Sequence, residues 1–388
     1  MRDYIEAKVS EFVEKLAYVK GVVADLSRSG SHQNLVTQLE RTCAEIEGFI
    51  GRIRSLLPLN LPQLFPRIQV MLAQITTRFD WLEEWYLPAI AHEGPDELAV
   101  SRVIDQVLAQ LGITWIVDKV VSFSRALAMF PGSGNCPIFF MPRYTRNSLL
   151  NWIGLYHEIA HAIYQRFPEI ADRLSNAVLT YCEQQLRQTP ALTASQLDRR
   201  TLRYRETLVY WNTYRLQELF CDIFATVMTG PAYLFSWVDL SLTSLDGPYS
   251  VVREDEHPPN AARTQACMLS LHDGYAASPL KTATTDLWDR FLERRQRSPL
   301  FDQLCPFELV LAIVRASRSE IQRLGFPGHQ TPIPSPPNSL SYNRTDNLQE
   351  LVNVAVVNLL FERAGFVAWQ KSIIEKLCPS TSTAGATS

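Results

Sequence analysis

The stretch Gly154–Tyr164, GLYHEIAHAIY, decides how the chain is read, because it sets His157 and His161 four residues apart with Glu158 beside the first. On a helix, residues i and i+4 share a face, so the two imidazoles can serve one metal ion. Glu158 lies about 100° around the axis from His157. That direction suits a water beside the metal, the position of a general base. Between Trp152 and Tyr164 the only charged or imidazole side chains are those of the motif itself. A helix apolar on nearly all sides is a buried one, and buried imidazoles and a carboxylate need partners to offset desolvation, which a metal supplies. A pair of core histidines satisfied by protein groups is the alternative that these five letters leave open.

A metal site needs at least one more ligand, and RLQELFCDIFATVMTGP offers Glu218 and Asp222, again i and i+4 on a helical pattern. Leu219, Phe220, Ile223, Phe224 and Val227 form an apolar stripe beside them. Two carboxylates on such a helix are costly unless something positive is near. Glu218 as third ligand, with Asp222 accepting a hydrogen bond from the distal nitrogen of a ligand histidine, answers both. The competing reading is a solvated carboxylate pair, since Arg215 and Gln217 place polar groups on the same helix.

HEIAH followed by a helix bearing E-x-x-x-D resembles the gluzincin zinc peptidases. The segment EHPPNAAR, with His257-Pro258-Pro259 and then Arg263, narrows the resemblance to the branch of the CAAX prenyl proteases and heat-shock membrane proteases. The three motifs run in the family's order from Tyr156 to Arg263. The resemblance implies one Zn2+ per chain, held by His157, His161 and Glu218, and a peptide or protein substrate. Members of that branch are typically integral membrane proteins, whereas the most apolar run here, LVNVAVVNLLF (351–361), is too short and too asparagine-rich to span a bilayer. The resemblance therefore carries the metal site and the reaction type, not a prenylated or membrane-bound substrate.

In the mechanism so implied, Glu158 takes the proton of the attacking water and passes it to the leaving amine. His257 is the candidate for a second oxyanion donor, ahead of Tyr156, Tyr164 and Tyr233; its alternative role is to order the Pro-Pro turn. Arg263 is expected to pair with Asp222 or near Glu158. The segment CPIFFMP, just before the metal helix, reads as an edge strand because Pro137 and Pro142 donate no ladder hydrogen bonds. A strand so placed binds substrate by β-augmentation in zincins, so Ile138, Phe139 and Phe140 are the substrate-binding candidates. Two other functions compete: a catalytically silent zincin-fold scaffold, and a metal-dependent hydrolase of non-peptide amides.

The rest of the 388-residue chain reads as mainly α with a small sheet, an α+β fold. Ile5, Val9, Phe12, Leu16, Val19, Val23 and Leu26 alternate in steps of four and three, and Leu35 to Leu56 repeat the spacing after SRSGSHQN, which predicts an antiparallel helical hairpin. Pro58, Pro62 and Pro66 interrupt, a third seam runs from Ile68 to Tyr86, and a fourth helix is expected over 97–111. ITWIVDKVVSF adds a second short strand. Long helices are expected over 202–229 and 347–377. The domains so drawn are an N-terminal helical bundle (1–111), a zincin-like catalytic domain (112–275), C-terminal helices (276–377) and a disordered tail (378–388). The bundle either packs on itself or recruits a protein partner through its hairpin.

A net charge of −3 argues against nucleic acid as the main partner. Seven scattered cysteines without a CxxC pair argue against a disulfide framework and for a cytoplasmic protein. MRDYIEAKVSEF has no apolar signal core.

Overall fold

The computed structural model describes residues 2–29, 33–59, 61–82, 86–87, 94–116, 118–124, 128–130, 137–142, 148–187, 194–211, 214–244, 247–252, 255–275, 277–293, 295–326, 328–329 and 338–378. Most of the Pro-rich segment 327–337 and all of the tail beyond Cys378 lie outside the described residues. The fold is mainly helical, with one small sheet among the described residues, and the chain divides into two compact units, 1–102 with 113–141, and 103–112 with 142–388. The first unit holds the N-terminal helices with the strands, and the second holds the histidine motif with the C-terminal helices.

In the first unit, α1 (Arg2–Ser29) packs on α2 (Gln33–Leu56), and α2 on α3 (Phe65–Trp81). Three residues join α1 to α2, so their contact is antiparallel. The four-three seams meet inside this unit: Ile5, Val9, Val19, Leu39, Ile46 and Ile75 belong to one buried cluster. Phe12 of α1 stacks on Phe79 of α3 at 5.6 Å, and Arg78 closes the rim with a 3.0 Å contact to Glu45. The prolines between α2 and α3 fall in two 3₁₀ turns and in the first turn of α3, where a missing N–H costs nothing. A fourth helix, α4 (Pro95–Gln110), begins in this unit and ends in the other.

The sheet holds β1 (Val120–Ser124), β2 (Ala128–Phe130) and β3 (Ile138–Pro142), in the order β1-β3-β2. The expectation that β3 is an edge strand is wrong. It is the central strand, antiparallel to β2 with Met129 opposite Phe139, and Pro137 accepts a hydrogen bond from Val120. The prolines stand at the ends of β3, where they remove no interior ladder bond. Both edges are occupied, so β3 offers no open edge to a peptide.

The second unit is organised around α8 (Tyr214–Thr229). It packs against α5 (Leu155–Arg166), α6 (Glu169–Arg187), α7 (Ala194–Trp211), α9 (Pro231–Thr243), α10 (Asn260–Ser270), α13 (Phe307–Arg323) and α14 (Leu348–Phe361). That central place needs apolar side chains all round, and α8 buries Leu216, Leu219, Phe220, Ile223, Phe224 and Met228 together with Arg215, which lies over the Tyr210 ring at 4.2 Å. Arg215 therefore does not mark a wet face. Further helices are α11 (Pro279–Leu292), α12 (Pro299–Leu304) and α15 (Arg363–Leu377).

Of the long helices expected from sequence, one is broken within the described residues. The run 202–229 is described as α7 to Trp211 and α8 from Tyr214, and residues 212 and 213 lie outside the described residues. The run 347–377 is broken at Glu362, whose φ of −128° and ψ of 41° leave the helical region. The apolar α14 is an interior helix, and among the described residues no helix is long and apolar enough to cross a membrane.

Candidate metal centre

α5 follows a 3₁₀ turn over Leu149–Gly154 and buries nearly every side chain from Leu155 to Ile163. His157 and His161 stand one turn apart with ring centroids 4.9 Å from each other and planes at 80°. Both Nε2 atoms face Glu218 on α8, 3.3 Å from Oε2 for His157 and 3.4 Å from Oε1 for His161. The other ring nitrogens are held from behind. His157 Nδ1 lies 3.1 Å from Asp222 Oδ1 and 3.0 Å from the Tyr233 hydroxyl, and His161 Nδ1 lies 2.9 Å from Gln217 Nε2. Two imidazoles directing Nε2 at one carboxylate make a donor set that fits a divalent metal, provided the Gln217 amide turns its oxygen to His161 Nδ1, since the amide nitrogen now there donates and keeps the ring hydrogen on Nε2.

Asp222 is fully buried and is the hub of the site. Arg263 of α10 donates to it twice, Nε to Oδ2 at 2.5 Å and Nη2 to Oδ1 at 2.8 Å, while Tyr233 of α9 donates to Oδ1 at 2.6 Å. The guanidinium lies 3.8 Å over the Trp237 ring, and its Nη2 is 3.6 Å from Glu218. Gly230, with φ of 65°, makes the sharp turn from α8 into α9, so Tyr233 returns toward Asp222 only three residues later.

These neighbours set the protonation of the site. Burial opposes a charge on His157, but hydrogen bonds to Asp222 and Glu218 overcome it and raise its pKa to about 10. Burial and the neighbouring His157 lower His161 to about 4, leaving its ring neutral. Burial would raise Glu218, yet His157 and Arg263 bring it down to about 2; Asp222 is held below its ordinary value, against burial, by Arg263 and His157. Without a metal, the proton on His157 occupies the place a cation would take, so metal binding must release it.

Of the other expected residues, Glu158 is buried on α5, and its negative charge helps to raise the pKa of the Cys221 thiol. His257 is half-exposed; its Nδ1 lies 2.9 Å from Asp255 and its Nε2 3.5 Å from Glu218. Tyr233 donates its hydroxyl hydrogen to Asp222, which leaves none for an oxyanion. The Tyr156 hydroxyl is buried with no hydrogen-bond partner among the described residues, and Tyr164 packs against Phe220. Ile138, Phe139 and Phe140 belong to the first unit, the first two buried in β3.

Sequence reasoning missed Cys221, whose ligand atom lies within 4.8 Å of those of His157 and His161, so these three could hold a metal ion. Its signal was its place three residues after Glu218, on the same side of α8. Burial, reinforced by Glu218 and Asp222, pushes its thiol pKa well up. Comparison with protein-family models, with curated proteins and with solved structures gives no match, so the site is read from its own geometry.

Proposed function

We propose that this protein is a zinc metallopeptidase of the cytoplasm, with an N-terminal helical bundle, a zincin-like catalytic region and C-terminal helices. One observation carries the reading: His157 and His161 present Nε2 to Glu218 while Asp222, Tyr233 and Gln217 fix their other nitrogens. His157, His161 and Glu218 would hold the ion. Glu218, kept as a carboxylate, is a better third donor than Cys221, whose proton is retained by burial and three nearby carboxylates. When bound, zinc supplies a Lewis acid that lowers the pKa of water and polarises a carbonyl. Glu158 takes the proton of the attacking water and hands it to the leaving amine. His257, steadied by Asp255, donates to the developing oxyanion. Asp222 and Tyr233 orient His157, and Arg263 keeps Asp222 ionised. A protein partner recruited by the N-terminal hairpin meets its outer faces, where Tyr4 and Tyr18 are exposed, because the apolar seams are buried within the first unit.

A second reading, a catalytically silent scaffold, is favoured by Arg263 at 3.6 Å from Glu218, a guanidinium already placed to neutralise the third ligand. Glu158→Gln and His161→Ala separate the two. The peptidase predicts zinc retained but cleavage of a fluorogenic peptide library abolished in Glu158→Gln, and zinc lost in His161→Ala. A wild type that holds zinc yet cleaves nothing, or cleavage surviving in Glu158→Gln, contradicts the catalytic roles.

A further inference from the structure

On α7 the run LRYRETLV places Leu202 three residues before Arg205 and Val209 three residues after Glu206. Steps of three and four on a helix return to one face, and all four side chains line a single groove of about 430 Å3. Its other wall is α12, which packs against α7 and supplies Leu300 and Leu304. Leu202 and Val209 are 58% and 65% exposed, so the apolar part of this face is uncovered. Large apolar side chains gathered on an open face mark a contact surface.

The charges between the two apolar residues say what covers them. Arg205 and Glu206 are both exposed, and neither has an ion-pair partner among the described residues; Glu206 accepts a hydrogen bond from the neutral Gln303 amide at 2.9 Å. Adjacent residues on a helix do not face each other, so the two charges do not satisfy one another. Together the four residues are their own complement. A two-fold axis passing between Arg205 and Glu206 lays a second α7 antiparallel on the first. It sets Leu202 against the partner's Val209 and Arg205 against the partner's Glu206 in the same register. Moving that axis onto Arg205 opposes two guanidinium groups, and moving it onto Glu206 opposes two carboxylates. The charge pair thus fixes the register in which the apolar residues also match.

We propose that this face of α7, with the groove beside α12, is a self-association surface whose occupant is a second copy of the chain. A two-fold dimer uses the same patch on both subunits, which demands a self-complementary surface. An unrelated partner places no such symmetry on the four residues. Leu300 and Leu304 complete the apolar floor on which the partner's Leu202 and Val209 rest. A contact built on one helix pair and its flank is small, so the dimer is weak and reversible. None of these residues is among the candidate metal ligands, so dimerisation is independent of the metal reading.

The test is sedimentation equilibrium of the full chain up to about 0.5 mM, a concentration that populates a dimer of the weak class. It is repeated on Val209→Asp, on Glu206→Arg and on Arg205→Glu/Glu206→Arg. All three change exposed positions, and a circular dichroism melt checks that each fold is kept. The expected result is a reversible monomer–dimer equilibrium, weakened about tenfold or more by Val209→Asp and by Glu206→Arg. The double variant should restore it, because exchanging both charges recreates the opposite pair across the two-fold axis. A wild type that stays monomeric over the whole range overturns the proposal and leaves the groove to another partner. A dimer indifferent to Val209→Asp overturns the assignment of this face. Failure of the double variant to recover what Glu206→Arg loses overturns the antiparallel two-fold register.

Discussion

Replacing Arg263 by Met tests the charge network behind the histidines. In the wild type the fully buried Asp222 receives two hydrogen bonds from Arg263, at 2.5 and 2.8 Å, and one from Tyr233 at 2.6 Å. Arg263→Met keeps much of the side-chain volume over Trp237 but leaves Asp222 with Tyr233 and His157, and Glu218 without its guanidinium neighbour. Breaking a buried ion pair from one side costs about 3–5 kcal/mol. At about 3 °C per kcal/mol for a unit of roughly this size, the transition of the second unit falls by about 12 °C. The assay is thermal unfolding by circular dichroism in chelator, so that no metal contributes. The double variant Arg263→Met/Asp222→Leu removes both charges and loses clearly less than the two single losses added together. A single loss below about 1 kcal/mol, the size of an exposed pair, or strict additivity in the double variant refutes the reasoning.

Two further outcomes follow from packing. Asn353 is fully buried on α14; its amide donates to Thr229 O at 2.6 Å and Gln349 O at 2.8 Å and accepts from Ala232 N at 3.1 Å. Asn353→Leu strands the Thr229 carbonyl and Ala232 N–H at the α8–α9 turn, and chemical denaturation should show a loss of about 2–3 kcal/mol; an unchanged midpoint contradicts that. The six described cysteines are all buried and unpaired, and burial pushes Cys182 up to about 11. A thiol-specific disulfide reagent should therefore label no more than Cys136 in the native protein and all seven cysteines in guanidinium; fast native labelling of several thiols counts against the buried placement.

The helical seams were legible because a four-three spacing over many turns admits one buried face, and Ile5 through Leu26 pack as that spacing requires. Glu218 and Asp222 were legible for a similar reason, since two acids on an apolar helix demand a compensating partner. What supplies it was only partly visible: Arg263 stood in a motif, but Tyr233 and Trp237 reach Asp222 and Arg263 through the turn at Gly230, which is a tertiary fact. The strand order was not legible, because prolines at strand ends look in one dimension like prolines at an edge. Nor was the break at Glu362, which has no Gly or Pro on either side of it. Cys221 was passed over because a lone cysteine on a core helix looks like any small apolar residue.

The central claim is a metal held by the two histidines and Glu218, and titration of chelator-treated protein with zinc tests it most directly. The wild type should bind one zinc per chain with release of protons, as the proton on His157 gives way to the cation. His161→Ala should lose that binding, Glu218→Gln should weaken it by about tenfold or more, and Cys221→Ala should leave it nearly intact. No stoichiometric binding by the wild type, or binding that survives His161→Ala, would contradict the account.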